Sequence, residues 1–505
     1  MRINNKKRFA LAAVALTIAM PALSSVAPTG VKADPPASLQ LSYSGVGSDT
    51  TQAVMDAMSG QYNGKSYARA IGDGGAVIES YDATPAGADP TDVCISTTFN
   101  GGVYTRPNGS GAGVKAMSAA YGHGDIVNAG TVTRWLGDNS IFKVPASSPA
   151  VDYVCGAAPY NKSAVGFTAT AIASSANISG QVAFARASSI QTSGMVGTTG
   201  VTYVPFARDA VSAGWAFKTI SGGTAGAPVT TMTGKLIADV YNNGPQVVTS
   251  GGQPLLIVGC DLNALSGTRS FFGGVINNTP LKTKVALANA TPTDANGICN
   301  SVFEENTLAP VSTRAAAIAT ANATTGLSVI VPVANGGTGS AVAYFNIQLI
   351  VPHSAAAFIA QENNNSPSTL LGSGTLDTDF GLASVSNSDV LGGAGTNLGS
   401  PYSASGSPLV YSPSSTFYAS TTWGRLVYNV LPQAVMTTTA GASTDSQLRS
   451  LFYGANSGVC KSSAIITAFG FLNLSVAVNP NTETTTCGSI GEIKGWIPPS
   501  STTLS

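Results

Sequence analysis

The sequence predicts an α/β fold arranged as two lobes. Two observations lead there. Short apolar runs with strand character alternate with segments of helical period along most of the chain, which is the pattern of layered α/β proteins. The length of 505 residues is enough to bury one or two substantial cores, so two lobes or domains are expected.

The elements follow in order. In "SLQLSYSGVGSDTTQAVMDAMSGQY" the chain alternates through Leu39 and Leu41, breaks at glycines and turns helical. Val54, Ala57 and Met58 fall on one helical face, with Ser48, Asp49 or Thr50 as N-cap. "TRPNGSGAGVKAM" is a second turn followed by a helix. "VTYVPFARDAV" is an apolar stretch ending in a polar break. "VTTMTGKLIADVYNNG" puts Leu236, Ile237, Val240 and Tyr241 on one face, with threonines to cap its start and Gly244 beyond its end. "QPLLIVGC" has the pattern of a buried strand and leads into "NALSGTRSFF", a Ser-Gly-Thr-Arg at a helix start. "GLSVIVPV" and "FNIQLIVPHSAAAFIAQ" repeat the strand-then-helix scheme. From about 363 to 416 the chain is rich in Gly, Ser, Asn, Thr and Pro without a clean period, and is expected to be a long loop or irregular insertion. Order returns at "TWGRLVYNVLP" and "AIITAFGFL", and no internal repeat is visible.

Composition narrows the function. With 24 basic and 24 acidic residues the formal net charge is zero, which argues against nucleic acid, whose phosphates need a basic footprint. The N-terminus resembles a signal peptide: "MRINNKKR" is a basic region, "FALAAVALTIAM" an apolar one, and "VKA" a small-x-small site with cleavage expected after Ala33. No second apolar segment of about 20 residues follows and no cysteine lies near the cleavage site, so the mature chain is expected to be secreted, periplasmic or at the cell surface without a lipid anchor. The six cysteines suit that compartment. They permit 15 pairings, of which sequential neighbours are favoured: Cys94–Cys155, Cys260–Cys299 and Cys460–Cys487. With two histidines and no CxxC, neither a metal centre nor a cofactor is expected.

The chemistry centres on Ser266, Gly267 and Thr268. A helix start leaves backbone N–H groups unpaired and partly positive, Gly267 lets a ligand approach the backbone, and the two hydroxyls add donors. An ordinary Ser/Thr cap would look the same taken alone. "GVGSDTTQ" and "NGSGAGVK" are two further Gly/Ser loops that open helices, and three such turns can converge on one cleft.

In "SGVGSDTTQ", "RPNGSGAGVKAM", "FARASS", "VPFARDAVSAGW", "MTGKLIADVYNNG" and "SGTRSFF", in this order, the chain resembles the PstS-like phosphate-binding proteins, extracytoplasmic receptors of phosphate ABC transporters. "VFEEN", "IVPHSAAAFIAQ" and "GRLVYNVLP" resemble the longer, secreted branch of that group. The resemblance implies a periplasmic-binding-protein fold of type II. Each of its two lobes would be a mixed sheet flanked by helices, closing on ligand by a hinge. Lobe 1 would take 34–205 and 351–505, and lobe 2 would take 206–350. The implied partners are inorganic phosphate or a similar small oxyanion and a membrane permease, with the receptor a monomer and no enzyme. By position, Ser266, Gly267 and Thr268 line the site, Ser110 adds a ligand hydroxyl, Thr50 a helix-start amide, and Asp209 occupies a recurring family position. Ser48 and Asp49 lie in the first loop.

The departures bear on the ligand. The Arg and Asp that usually precede the Ser-Gly-Thr are here Leu262 and Ala264, and a further family Asp aligns with Ser188. Arg106 or Arg186 would have to supply a replacement cation, and Asp49 would accept a proton-bearing phosphate oxygen. Other readings have less support. "GQYNGKS" is one residue short of a P-loop and follows a helix. No G-x-S-x-G elbow occurs, and neither His123 nor His353 has an evident Ser–Asp partnership, so His353 is expected to be structural. Asp125 and Asp138 lack metal spacing. The alternatives are a surface or adhesion protein on the same fold that has lost its ligand and, with less in its favour, a secreted phosphatase-like enzyme.

Overall fold

The structure is a computed structural model that describes residues 43–83, 94–98, 104–123, 126–128, 131–133, 141–143, 175–191, 196–262, 266–281, 309–330, 341–366, 380–437, 444–474 and 485–496. Residues 1–33, where a signal peptide is expected, and Leu39, Leu41, Asp125, Asp138, Ala264, Cys155 and Cys299 lie outside the described residues.

A large mixed sheet flanked by helices organises the molecule. Its eleven strands are β1 (Tyr43–Gly47), β2 (Ile78–Ser80), β3 (Phe184–Ala187), β4 (Val196–Thr219), β5 (Gln246–Ser250), β6 (Gln253–Gly259), β7 (Asn346–Ser354), β8 (Phe380–Leu382), β9 (Gly424–Pro432), β10 (Leu472–Asn473) and β11 (Ile493–Trp496). The main path runs β5-β6-β7-β4-β9-β3-β1-β2, and β8, β10 and β11 also pair with β4. The β6–β7, β3–β1 and β1–β2 pairs are parallel, and the others on the path are antiparallel.

β4 is 24 residues long. Its first half pairs with β9 and its second half with β7. The stretch expected to end in a polar break continues to Thr219, and it runs straight through the polar Arg208 and Asp209, whose side chains both find tertiary partners. Arg208 Nε donates to the Tyr418 carbonyl, and Asp209 is paired across the sheet. Pro205 has no N–H to offer the ladder, and the register with β9 shifts between Pro205 and Ala207.

The helices follow their sequence signals closely. α1 (Gln52–Met58) buries Val54, Ala57 and Met58. Its N-cap is Thr51 rather than any of residues 48–50, which form the turn ahead of it, where Gln52 N donates to Asp49 O at 3.1 Å. α2 (Ser110–Ala120) starts after Gly109, whose φ is +92°. It lies directly on β1: a Cβ on Gly113 would stand 2.5 Å from the Gly47 Cα, so only glycine allows this approach. α3 (Gly234–Asn242) buries Ile237, Val240 and Tyr241, and Thr233 caps it by accepting from Leu236 N. α4 (Gly267–Val275), α5 (Ala309–Ala321) and α6 (Ala355–Glu362) complete the set used below.

The run "NIQLIVPHS" of β7 is buried at all nine positions, as a strand covered on both faces requires. Among its polar members, Gln348 donates to Val229 O at 2.9 Å and accepts from Val229 N at 2.8 Å. The core that holds Ile350 and Val351 continues through Phe380, Val385 and Phe417 to Trp423. A second core joins α1, Val204, Phe206, Val427 and the C-terminal Phe469 and Phe471, and a third joins α2 to Ala185, Val201, Tyr203 and Val430. α6 serves two of these cores, with Phe358 in the first and Ala360 in the second.

Within 363–416 the described part is irregular for much of its length but contains β8, a strand at Ser384–Asn387 parallel to Thr231–Thr233, and a hairpin of Tyr402–Ser405 with Val410–Pro413. Cys460 and Cys487 form a disulfide with Cα atoms 5.8 Å apart. Cys260 is also disulfide-bonded. Among the described residues no helix is long and apolar enough to cross a membrane.

Candidate functional site

The turns at residues 50, 110 and 267 meet. Ser266 caps α4, accepting from Arg269 N at 3.3 Å while its own O–H remains available to donate. Gly267 stands against two hydroxyls from other segments: a Cβ there would lie 2.3 Å from Ser188 Oγ and 2.4 Å from Ser110 Oγ. Those hydroxyls are 3.4 Å apart, and Ser188 N donates to Ser110 Oγ at 3.0 Å. One residue on, Thr268 Oγ1 lies 3.0 Å from Thr50 Oγ1. All of these side chains are buried.

The cation at this cluster is Arg425, at the start of β9. Its Nη2 donates to Thr268 Oγ1 at 2.8 Å and reaches Thr50 Oγ1 at 3.5 Å. The same guanidinium grips Asp209 Oδ2 through Nε at 3.0 Å and Nη2 at 2.7 Å, in a pair whose side chains are 3% and 0% exposed. The pair follows from strand register, since Asp209 of β4 is directly opposite Arg425 of β9. Asp209 also accepts from Ala356 N at 3.0 Å and from Ser354 Oγ at 2.9 Å, so it caps α6 as well. A buried carboxylate holding this many donors meets the condition under which a buried ion pair is sustained. Phe271 of α4 lies 5.6 Å from the guanidinium carbon.

The other sequence candidates have different settings. Arg186 is fully buried, and its donors go to the β1 turn and to β2: Nε to Ser48 O at 3.2 Å, Nη1 to Ser80 Oγ at 2.7 Å and to Gly45 O at 3.3 Å, Nη2 to Gly47 O at 3.4 Å. Arg106 Nη1 donates to Asp82 O at 2.8 Å. The guanidinium that meets the hydroxyls is Arg425, from a strand more than 200 residues further on, while Arg186 fastens the first turn. Ser48 Oγ is buried without a hydrogen-bond partner among the described residues. Asp49 is buried and, with Thr50, lines a small cavity between α1 and α6. Leu262 is buried in the first core. Its neighbour Asp261 forms a bidentate pair with Arg269, at 2.8 and 2.7 Å. Burial pushes the Asp261 carboxyl above its ordinary value, and Arg269 pulls against that shift.

His353 sits at the end of β7 beside Ser354, fully buried, with its ring against Phe380 at 5.9 Å and Phe358 at 6.4 Å. His123 stacks on Trp496 at 4.1 Å. No group of three or more potential metal ligands occurs among the described residues.

Chemically, the arrangement offers five hydroxyls, a helix start and one guanidinium held by a carboxylate. It can donate hydrogen bonds to an oxyanion from several directions. Sequence reasoning found the hydroxyls and the glycine but missed Arg425. The available signal was its position in "GRLVYNVLP", one of the ordered motifs, at the start of a strand otherwise free of charge.

No protein-family model matches the chain, and no curated protein matches it. Among solved structures the chain is similar to a human phosphate-binding apolipoprotein, with 13% identity over 91% of this chain and 100% of that one and a TM-score of 0.35. It is likewise similar to a DING protein, with 14% identity over 91% of this chain and 100% of that one and the same TM-score of 0.35.

Proposed function

We propose that this protein is an exported solute-binding protein that captures a small tetrahedral oxyanion, phosphate, between two lobes and presents it to a membrane ABC permease. The observation that carries the reading is the buried meeting of Thr50, Ser110, Ser188, Gly267 and Thr268, with Arg425 bonded to the two threonines. These residues come from four separate segments, and no single helix cap would bring them together. Export, monomeric state and delivery to a permease rest on the leader-like N-terminus and the ordered motifs of the sequence. No reaction is proposed.

The hydroxyls are closed on one another, so an entering anion must part Gly267 and Thr268 from Thr50, Ser110 and Ser188. Each hydroxyl then exchanges a neutral partner for a charged one, which strengthens its bond. Arg425 supplies the charge, and Asp209 fixes its direction. The experiment is calorimetric titration with phosphate of the wild type and of Asp209→Asn/Arg425→Gln, in which no unpaired charge is left behind. The wild type should bind phosphate, and the double variant should fold yet bind on the order of 100-fold more weakly. Equal binding by the two would discard the site.

We read Asp49, in the turn beside Thr50, as the group that discriminates between oxyanions. A carboxylate acceptor favours an oxyanion that still carries a proton, so Asp49→Asn should narrow the preference for phosphate over sulfate on the order of tenfold. Parallel titrations with both ions read this directly, and unchanged selectivity would remove Asp49 from that role. The mutual pairing of the hydroxyls also favours a second reading, a surface protein whose receptor site has closed for good. A wild type that binds no oxyanion would establish that alternative.

A further inference from the structure

The cavity beside the hydroxyl cluster has walls unsuited to a bare inorganic ion. It lies between α1 and α6, is lined by Asp49 and Thr50, and shares Thr50 with the cluster. Its remaining lining is mostly apolar, with Ala53 and Val54 from α1, Ala357 and Ala360 from α6, and Phe469 and Phe471 from the C-terminal region. A phosphate ion has nothing to place against methyl groups and aromatic rings. A phosphorus oxyanion bearing a short carbon substituent does, and its three remaining oxygens still match the hydroxyl donors.

We propose that the ligand is an organophosphonate or phosphomonoester with a substituent of about two carbons, the phosphoryl oxygens at Thr50, Ser110, Ser188, Thr268 and Arg425 and the substituent in this alcove. The inference rests on the oxyanion reading above and specifies its ligand class. Thr50 is the junction: its hydroxyl is bonded to Thr268, and its other side borders the alcove. The alcove is small, so a bulky substituent is excluded by size, while one or two methylene groups gain from leaving water.

The test uses the full protein, inorganic phosphate, ethylphosphonate and phenylphosphonate, each titrated calorimetrically and each then competed against the others. Ethylphosphonate should bind on the order of tenfold tighter than phosphate, the advantage that two buried methylene groups confer, and should displace phosphate competitively. Phenylphosphonate should bind more weakly than ethylphosphonate. Ala357→Leu fills the alcove from α6, and Ala53→Leu fills it from α1. Either should remove the ethylphosphonate advantage and leave phosphate affinity unchanged, and the second serves if the first does not fold. Phosphate binding tighter than ethylphosphonate in the wild type, or loss of both ligands alike in a folded variant, would overturn the substituent site while leaving the oxyanion site standing. No binding of either ligand by the wild type would overturn both.

Discussion

Replacing Asp209 by alanine should destabilise the protein by about 3–5 kcal/mol. Two losses combine. Arg425 keeps its charge but loses the carboxylate oxygen to which its Nη2 and Nε donate at 2.7 and 3.0 Å, in a place where its side chain is 3% exposed. α6 loses the carboxylate that accepts from Ala356 N, and Ser354 loses the acceptor of its hydroxyl. The first loss dominates, because an unpaired buried guanidinium has no water to turn to. Urea unfolding of wild type and variant measures the difference. A change below about 1 kcal/mol would show that the pair does not sustain the fold. The Asp209→Asn/Arg425→Gln protein should recover most of the lost stability, since both charges disappear together, and this non-additivity is the signature of a coupled pair.

Acid should weaken the protein through His353. Burial, with a lesser push from Arg425 and against the pull of Gln361, lowers its pKa from 6.5 to about 3. Between those values the unfolded chain takes up a proton that the folded protein refuses. The contribution is therefore fully present above pH 6.5 and is lost as pH falls toward 3. The loss amounts to about 2 kcal/mol by pH 5 and about 3 kcal/mol by pH 4, at 1.36 kcal/mol per pH unit. Denaturant unfolding at intervals from pH 7 to pH 4 gives the slope, and His353→Leu should flatten it over this window while leaving the carboxylate-driven loss at lower pH. Parallel slopes for the two proteins would mean that the imidazole accepts its proton in the folded state.

The helices and the hydroxyl cluster were largely legible in the sequence because their signals are local. The face of α3, the cap at Thr233 and the turn before α4 are each set within a few residues. Arg425 was not legible because its partner stands 216 residues away, and only the β4–β9 register brings the two together. The polar break expected after "VTYVPFARDAV" does not end β4, which runs on to Thr219, and its Arg208 and Asp209 are received by the Tyr418 carbonyl and Arg425. Arg186 shows what a motif leaves out. A basic residue near the first loop reads as a ligand for an anion, and the structure adds that its guanidinium donates to the Ser48, Gly45 and Gly47 carbonyls of that loop and to the Ser80 hydroxyl.

β4 crosses from residues packed in the second and third cores, Val201 to Ala207, to residues packed in the first, Ala210 to Ala216, without leaving its strand conformation. Such a shared rib leaves no slack tether at this crossing. Melting either end strips the ladder from the other, so thermal denaturation should be cooperative across all three cores rather than staged, and a shift of one core relative to another must be accommodated as a twist along this ribbon.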